Sequence, residues 1–155
     1  MKKAETVKVL NDLIQTSEDG RKGFAEASEE ATKAELKTMF KRRSADCGMA
    51  VTELQQLVGS LGGTADDSGT IAGTLHRGWV KVKTAVGDPN LTMLNEIENA
   101  EDKAKASYAK ALATKLPEQI RVVVKRQHEG AVKNHDLIRD LRNSYKKAAK
   151  ASAVI

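Results

Sequence analysis

Apolar residues recur every three or four positions in four long stretches of this sequence, and this spacing limits the possible folds more than any other feature. Residues spaced in this way lie on one face of an α-helix, and that face must be buried against other helices. No stretch of alternating Val, Ile and aromatic residues indicates a β-strand. The sequence therefore predicts an all-α, four-helix bundle. Its four stripes contain Leu10, Leu13, Phe24 and Ala27; Leu36, Phe40, Cys47 and Leu54; Leu94, Ile97 and Tyr108; and Ile120, Val123, Ala131 and Ile138.

Capping residues, glycines and prolines mark where these helices begin and end. Thr32-Lys33-Ala34-Glu35 predicts a capping box at the start of the second helix. Gly62-Gly63 predicts its end, because glycine adopts the left-handed conformation that often follows a helix. Asp88-Pro89 predicts the N-cap and first position of the third helix, and Pro117 has the same part in the fourth. The predicted helices cover about 6–31, about 33–61, a shorter one at about 70–86, one from 89, and one from 117 to about 149.

The lengths of the connections predict how the helices are arranged. Turns at 31–33 and 115–117 are short, so each joins two antiparallel neighbours. The connection from Gly62 to Asp88 is long, and its short helix can travel back roughly 25 Å at about 1.5 Å per residue. The second and third long helices then run parallel. This is the up-down-down-up order of ferritin-like bundles, with a helical crossover between helices 2 and 3.

Length, composition and cysteine count predict one domain in a reducing compartment. A chain of 155 residues, 40% apolar and 30% charged, fits a single globular domain over 1–155. The lone Cys47 excludes an internal disulfide and a thiolate zinc site. The amino-terminal residues lack the apolar region of a signal peptide, and no apolar stretch approaches the ~20 residues that span a bilayer. We therefore expect a cytoplasmic protein with no membrane partner.

Small and polar residues interrupt the middle of the apolar stripes, and carboxylates and imidazoles flank them. A buried carboxylate is costly unless it is paired, hydrogen-bonded or bound to a metal. One hypothesis is therefore an iron or manganese site at mid-height, because these metals accept carboxylate and imidazole ligands. The candidate ligands are Glu18, Glu53, Glu98, Glu101, His128 and His135.

The alternative for the same residues is a buried polar network with no metal. Such networks can fix the register of packed helices. We favour the network, because the two Glu-x-x-His motifs of di-iron bundles are missing: Gln56 follows Glu53 at the third position, and Val132 follows Glu129. The network would consist of Arg43, Glu101, Gln127 and Asn134.

The last helix carries most of the positive charge. Residues 121–150 contain nine Lys and Arg side chains against three acidic ones, whereas the whole chain has a net charge of +5. A polyanion could bind this face, although cations at the end of a helix also favour the helix dipole without any partner. No nucleic-acid motif or stacking aromatic residue accompanies the charges, so we expect no specific nucleic-acid partner. The basic face is formed by Arg139, Arg142, Lys146 and Lys150.

Several segments, in this order and spacing, resemble a family of small bacterial ferritin-like four-helix-bundle proteins of unknown function. They are Asp19-Gly20-x-x-Gly23-Phe24, Leu75-His76-Arg77-Gly78-Trp79, and Glu98-x-x-Glu101-Asp102 with Tyr108. The resemblance implies a ferritin-like bundle, association into a homodimer through a helix face, and a stress-related role. It implies no established metal.

No nucleophile elbow, phosphate loop, dinucleotide fingerprint or zinc-protease motif is found. The first functional hypothesis is therefore a non-enzymatic structural or stress-related module. The second is a bundle that binds iron or manganese at mid-height. The third is a weak polyanion binder that uses the basic face of the last helix.

Overall fold

The computed structural model describes residues 1–66 and 87–153, and within these residues it contains four α-helices and no β-strand. The prediction of an all-α fold with four long helices is therefore confirmed. The predicted shorter helix at about 70–86, with its segment Leu75-His76-Arg77-Gly78-Trp79, lies outside the described residues. The helices are α1 (Lys3–Glu30), α2 (Ala34–Ser60), α3 (Pro89–Leu112) and α4 (Glu118–Ala153).

The buried apolar residues that the structure describes form two separate clusters. One combines the amino-terminal half of α1 with the carboxyl-terminal half of α2, and includes Leu10 and Leu54. The other combines the opposite halves of these helices, and includes Phe24 and Phe40. Each Leu or Phe that is fully buried stabilises the fold by about 1.5–3 kcal/mol. Between the two clusters lie polar residues, as the interrupted stripes of the sequence predict.

Helix α1 packs against α2 and α3, and α3 packs against α4. The turn after α1 meets the beginning of α3, where Thr32 contacts Asn90. Helices α2 and α4 meet through side chains at two places. The Tyr145 hydroxyl donates to Glu35 Oε1 at 3.0 Å, and Gln127 Nε2 donates to Glu53 Oε1 at 2.8 Å.

Two of the predicted helix ends are present, each with its expected chemistry. Gly62 has a φ of 74°, the left-handed conformation expected after α2. Asp88 is the N-cap of α3, and its side chain accepts a hydrogen bond from the Asn90 amide at 2.9 Å.

The predicted capping box at Thr32 is wrong. Lys33 is the residue before α2, and no side chain caps this helix. The Thr32 hydroxyl instead accepts a hydrogen bond from Asn90 Nδ2 at 2.7 Å, and the Thr32 amide donates to Asn90 Oδ1 at 3.3 Å. Thr32 therefore attaches the turn between α1 and α2 to α3, because its partner from a distant part of the chain replaces the local cap.

We predict that Asn90→Ala lowers the free energy of unfolding by about 1–3 kcal/mol, because it removes two hydrogen bonds between α3 and Thr32, each worth about 0.5–1.5 kcal/mol. Asn90 is 4% exposed. Urea unfolding followed by circular dichroism measures the change. Asn95→Ala, an exposed position on the same helix, serves as the control and should change stability by less than about 0.5 kcal/mol. Equal effects of the two substitutions would contradict the assignment.

Candidate functional site

The buried polar residues at mid-height come from α1, α3 and α4. A carboxylate or imidazole removed from water needs hydrogen-bond or ionic partners within the protein. The contacts of each buried polar side chain therefore define the site. They divide into a histidine-centred cluster between α3 and α4 and a central group around Glu101. Those that are less than a tenth exposed include Ser17, Glu98, Glu101, Asn134 and His135.

His135 lies among three carboxylates. Its Nε2 atom is 2.8 Å from Asp102 Oδ1 and 3.7 Å from Glu98 Oε1, and its Nδ1 atom is 3.1 Å from Asp136 Oδ1. One ligand atom from each of Glu98, Asp102 and His135 lies within 4.8 Å of the other two. We call these three residues the His135 cluster. Among the described residues, it is the group of carboxylates and imidazole whose ligand atoms lie close enough together to hold a metal ion.

Helix geometry explains how the cluster forms. Glu98 and Asp102 are four residues apart, so their side chains lie one turn apart on the same face of α3. That face meets α4 at His135. Glu98 and His135 are 8% and 7% exposed, whereas the Asp102 side chain is 56% exposed. The cluster therefore has a buried side and a side open to solvent.

Two arginines of the predicted basic face neutralise part of this acidic charge. Arg142 donates a hydrogen bond to Glu98 Oε2, and Arg139 Nη1 is 3.4 Å from Asp136 Oδ1. The hydrogen bond from His135 lowers the pKa of Asp136, and Arg139 adds to this effect. Arg139 and Arg142 therefore form ion pairs, whereas Lys146 and Lys150 of that face are exposed.

Glu101 occupies the centre of the bundle. It is 3% exposed, and its Oε1 atom is 3.4 Å from Nε of Arg43, which stacks over the ring of Phe24 at 5.8 Å. Burial raises the pKa of Glu101, and the charge and hydrogen bond of Arg43 oppose this increase. A buried charge with its partner removed is strongly destabilising, so the pair is needed once Glu101 is buried.

Two polar atoms of this central group have no hydrogen-bond partner among the described residues. Glu101 Oε2 and Asn134 Nδ2 are buried, and neither has a hydrogen-bond partner in the part of the chain that the structure describes. The Asn134 amide lies near enough to lower the pKa of Glu101, yet it does not complete a bond. An unpaired buried donor or acceptor costs about 1–3 kcal/mol, so both atoms need an explanation.

Gln127, the fourth member of the predicted polar network, has other partners. Its Oε1 atom accepts a hydrogen bond from the Tyr108 hydroxyl at 2.9 Å, and its Nε2 donates to Glu53. The Tyr108 hydroxyl also lies 3.2 Å from Ser17 Oγ, and burial raises the pKa of Tyr108 to about 12. Gln127 therefore links α3 to α2 and is not bonded to Glu101.

The six predicted metal ligands do not converge on one point. Glu98 and His135 come together in the His135 cluster, and Glu101 lies one turn away beside Arg43. The other three have different surroundings. Glu18 forms an ion pair with Arg21, Glu53 bonds Arg126 and Gln127, and the His128 ring lies 6.3 Å from the ring of Tyr108.

Sequence reasoning missed Asp102 and Asp136 as site residues, because neither lies on an apolar stripe. The signal for Asp102 is its distance of four residues from Glu98, which fixes a shared helix face. The signal for Asp136 is its position next to His135, where its carboxylate can reach the imidazole Nδ1.

A cavity of about 670 Å³ opens between the four helices at this height. Glu101, Asn134 and Tyr108 line it, together with apolar side chains from each helix. Met49 and Leu137, which are 68% and 45% exposed, also line it, so the cavity reaches the surface.

Cys47 lies in the wall of this cavity and is held close to α1. A Cβ atom added at Gly20 would lie 3.0 Å from Cys47 Sγ, so the glycine permits this close approach. The Cys47 side chain is 6% exposed, and burial raises the pKa of its thiol to about 11. The thiolate is the reactive form, so the native thiol should be a poor nucleophile.

We predict that Cys47 of the native protein reacts with Ellman's reagent at about pH 8 at least ~100-fold more slowly than in urea, since two pKa units reduce the thiolate fraction about 100-fold. Absorbance after mixing measures both rates. The unfolded protein is the control for an ordinary thiol. A native rate within about tenfold of the unfolded one would show that the thiol is accessible and ionised.

None of the helices among the described residues is long and apolar enough to cross a membrane. No curated protein matches this sequence. One family profile does match, over residues 5–114, which is more than half of the chain and covers α1, α2 and α3. The chain belongs to this family, which is described as a domain of unknown function, DUF2383.

Proposed function

We propose that the protein is a ferritin-like four-helix bundle that binds one divalent transition-metal ion, Mn(II) or Fe(II), through the His135 cluster. The observation that carries this proposal is that Nε2 of a buried histidine faces two carboxylates, while a third carboxylate accepts from its Nδ1 side. The proposal differs from the predicted six-residue site by including Asp102 and by leaving out Glu18, Glu53, Glu101 and His128.

Contacts between distant helices support the ferritin-like order. The end of α1 meets the beginning of α3 through Thr32 and Asn90. The early residue Glu35 of α2 meets the late residue Tyr145 of α4. Both contacts are expected when α1 runs opposite to α3 and α2 runs opposite to α4. With two short turns, these directions give the up-down-down-up order.

The donor atoms of the cluster match the proposed metals. Neutral imidazole and carboxylate oxygen suit Mn(II) and Fe(II), and three protein ligands on one side leave positions open for water. When its Nδ1–H donates to the Asp136 carboxylate, His135 would direct the lone pair of Nε2 toward Glu98 and Asp102. Such an outer carboxylate is the usual way in which a ligating histidine is oriented.

The local charges are compatible with a cation. Arg142 occupies Oε2 of Glu98, whereas the Oε1 atom faces His135 and is available. Asp102 is partly exposed, which provides an entry path from solvent. Without an ion, His135 must carry protons on both ring nitrogens in order to donate to Asp102 and to Asp136. A bound ion would take the place of the proton on Nε2.

The competing hypothesis is that the cluster is only an ion network in which a protonated His135 bridges α3 and α4. This corresponds to the structural module of the sequence analysis. Both hypotheses use the same contacts, but only one requires a metal with a fixed stoichiometry. Homodimer formation, a stress-related role, polyanion binding, a single domain over 1–155 and a cytoplasmic location stay predictions.

We predict that the protein, purified without a histidine tag, binds one Mn(II) per chain, and that His135→Gln abolishes this binding because it removes the nitrogen ligand. Electron paramagnetic resonance of free Mn(II) gives the stoichiometry and affinity. Asp136→Asn should weaken binding by about 10–100-fold, as is usual when the carboxylate behind a ligating histidine is lost.

His128→Gln is the control, because His128 also lies on α4 but outside the cluster, although it is less buried than His135. This variant should bind Mn(II) like the unmodified protein. Asp140→Asn is the control for Asp136→Asn, since Asp140 is an exposed acid that pairs only with Arg139 among the described contacts. The proposal fails if a folded protein binds no Mn(II) or Fe(II), or if the two histidine variants behave alike.

A further inference from the structure

We infer that the cavity between the four helices binds a small, neutral, mostly apolar molecule that carries a hydrogen-bond donor next to an acceptor, such as a primary amide or a lactam. This inference concerns a different set of atoms from the His135 cluster. It does not depend on whether a metal binds there.

The size of the cavity fits such a ligand. Pockets for small organic molecules commonly have volumes of about 300–1,000 Å³, and this cavity has about 670 Å³. Apolar side chains from three helices, Phe24, Ile97 and Leu137, form part of its wall. Met49 and Leu137 are exposed at its edge, so a ligand can enter from solvent between α2 and α4.

The two unpaired buried atoms specify the polar part of the ligand. Glu101 Oε2 is an acceptor and Asn134 Nδ2 is a donor, both residues line the cavity, and they are 3% and 8% exposed. A molecule with one N–H and one carbonyl oxygen side by side satisfies both atoms. Pockets of this kind typically combine apolar walls with a few convergent polar groups.

The charge of the wall favours a neutral ligand. Among the described residues, the lining contains five acidic and five basic side chains, and the only buried carboxylate of these, Glu101, already has Arg43 at its other oxygen. A cation or an anion in the buried part of the cavity would therefore lose its hydration, while the carboxylate there already has a counter-charge. An uncharged amide avoids this cost.

Two arrangements without a ligand could also satisfy the unpaired atoms. A side-chain shift could allow Asn134 to donate to Glu101, or a water molecule could bridge them. In either arrangement Glu101 Oε2 is already satisfied, so an amide ligand with an N–H would bind no better than one without an N–H. A pair of probes that differ only in this group therefore separates the three possibilities.

The experiment is a titration of the ¹⁵N-labelled protein, in the presence of EDTA, with octanamide and with N,N-dimethyloctanamide. We expect saturable shifts of amide signals from cavity residues with octanamide, and at least about tenfold weaker binding of the dimethyl amide, which cannot donate to Glu101. Because EDTA removes metal, failure of this titration and failure of Mn(II) binding are separate results.

Two variants test the location of the site. Ala104→Phe places a ring in the cavity and should abolish binding, whereas Ala109→Phe, at an exposed position on the same helix, should not. Asn134→Leu keeps the size of the side chain but removes the donor to the ligand carbonyl, so it should weaken octanamide binding about tenfold. The spectrum of each variant reports whether it is folded.

The inference is overturned if the folded protein shows no saturable shifts with octanamide. It is also overturned if the two amides bind equally well, or if Asn134→Leu binds octanamide as the unmodified protein does. If Ala104→Phe does not fold, the comparison of the two amides and the Asn134→Leu variant still test whether the cavity binds the amide as proposed.

Discussion

A carboxylate buried at the centre of the bundle, Glu101, can be tolerated only because Arg43 lies beside it, and the middle of the molecule is organised around this pair. Removing two charges from water costs several kcal/mol for each ion, and their attraction repays this only with good additional contacts. Arg43 obtains one from the ring of Phe24, and Glu101 has Asn134 nearby. The apolar core is therefore divided into two clusters, and the space between them is neither fully apolar nor fully filled.

A segment of little more than one turn of α3 contributes to both of the proposed sites. Glu98 and Asp102 point toward α4, where His135 lies, and Glu101 between them reaches Arg43 of α2. Residues that are adjacent in sequence diverge by about 100° around a helix, so Glu101 and Asp102 belong to different surroundings. The short segment Glu98-x-x-Glu101-Asp102 thereby contributes to the His135 cluster and to the cavity between the four helices.

The sequence was a good guide where the physical cause is local. Helical period located all four long helices, and Asp88-Pro89 and Gly62 marked two ends, because caps and left-handed glycines depend on nearby backbone. It failed at Thr32, whose partner Asn90 is 58 residues away and cannot be inferred from a local motif.

Site residues were harder to predict for the same reason. The interrupted stripes drew attention to Glu98, Glu101 and His135, but they could not indicate which of the six candidate ligands meet. Asp102 was missed because it lies outside the stripe and is half exposed. The sequence indicates only that Arg142 lies on the basic face of the last helix, since periodicity alone does not show that a neighbouring helix brings Glu98 against it. The cavity depends on the spacing between helices, on which the sequence pattern carries no information.

Asn134 and His135 are consecutive residues of α4. Asn134 lines the cavity, whereas His135 faces Glu98 and Asp102 of the His135 cluster. If the helix rotates about its axis by a few degrees, both side chains move together. An occupant on one side that rotates α4 therefore changes how well the opposite side fits its own occupant. Thermodynamic reciprocity requires the same coupling in the reverse direction. Binding at either site would then change the affinity of the other by the same factor.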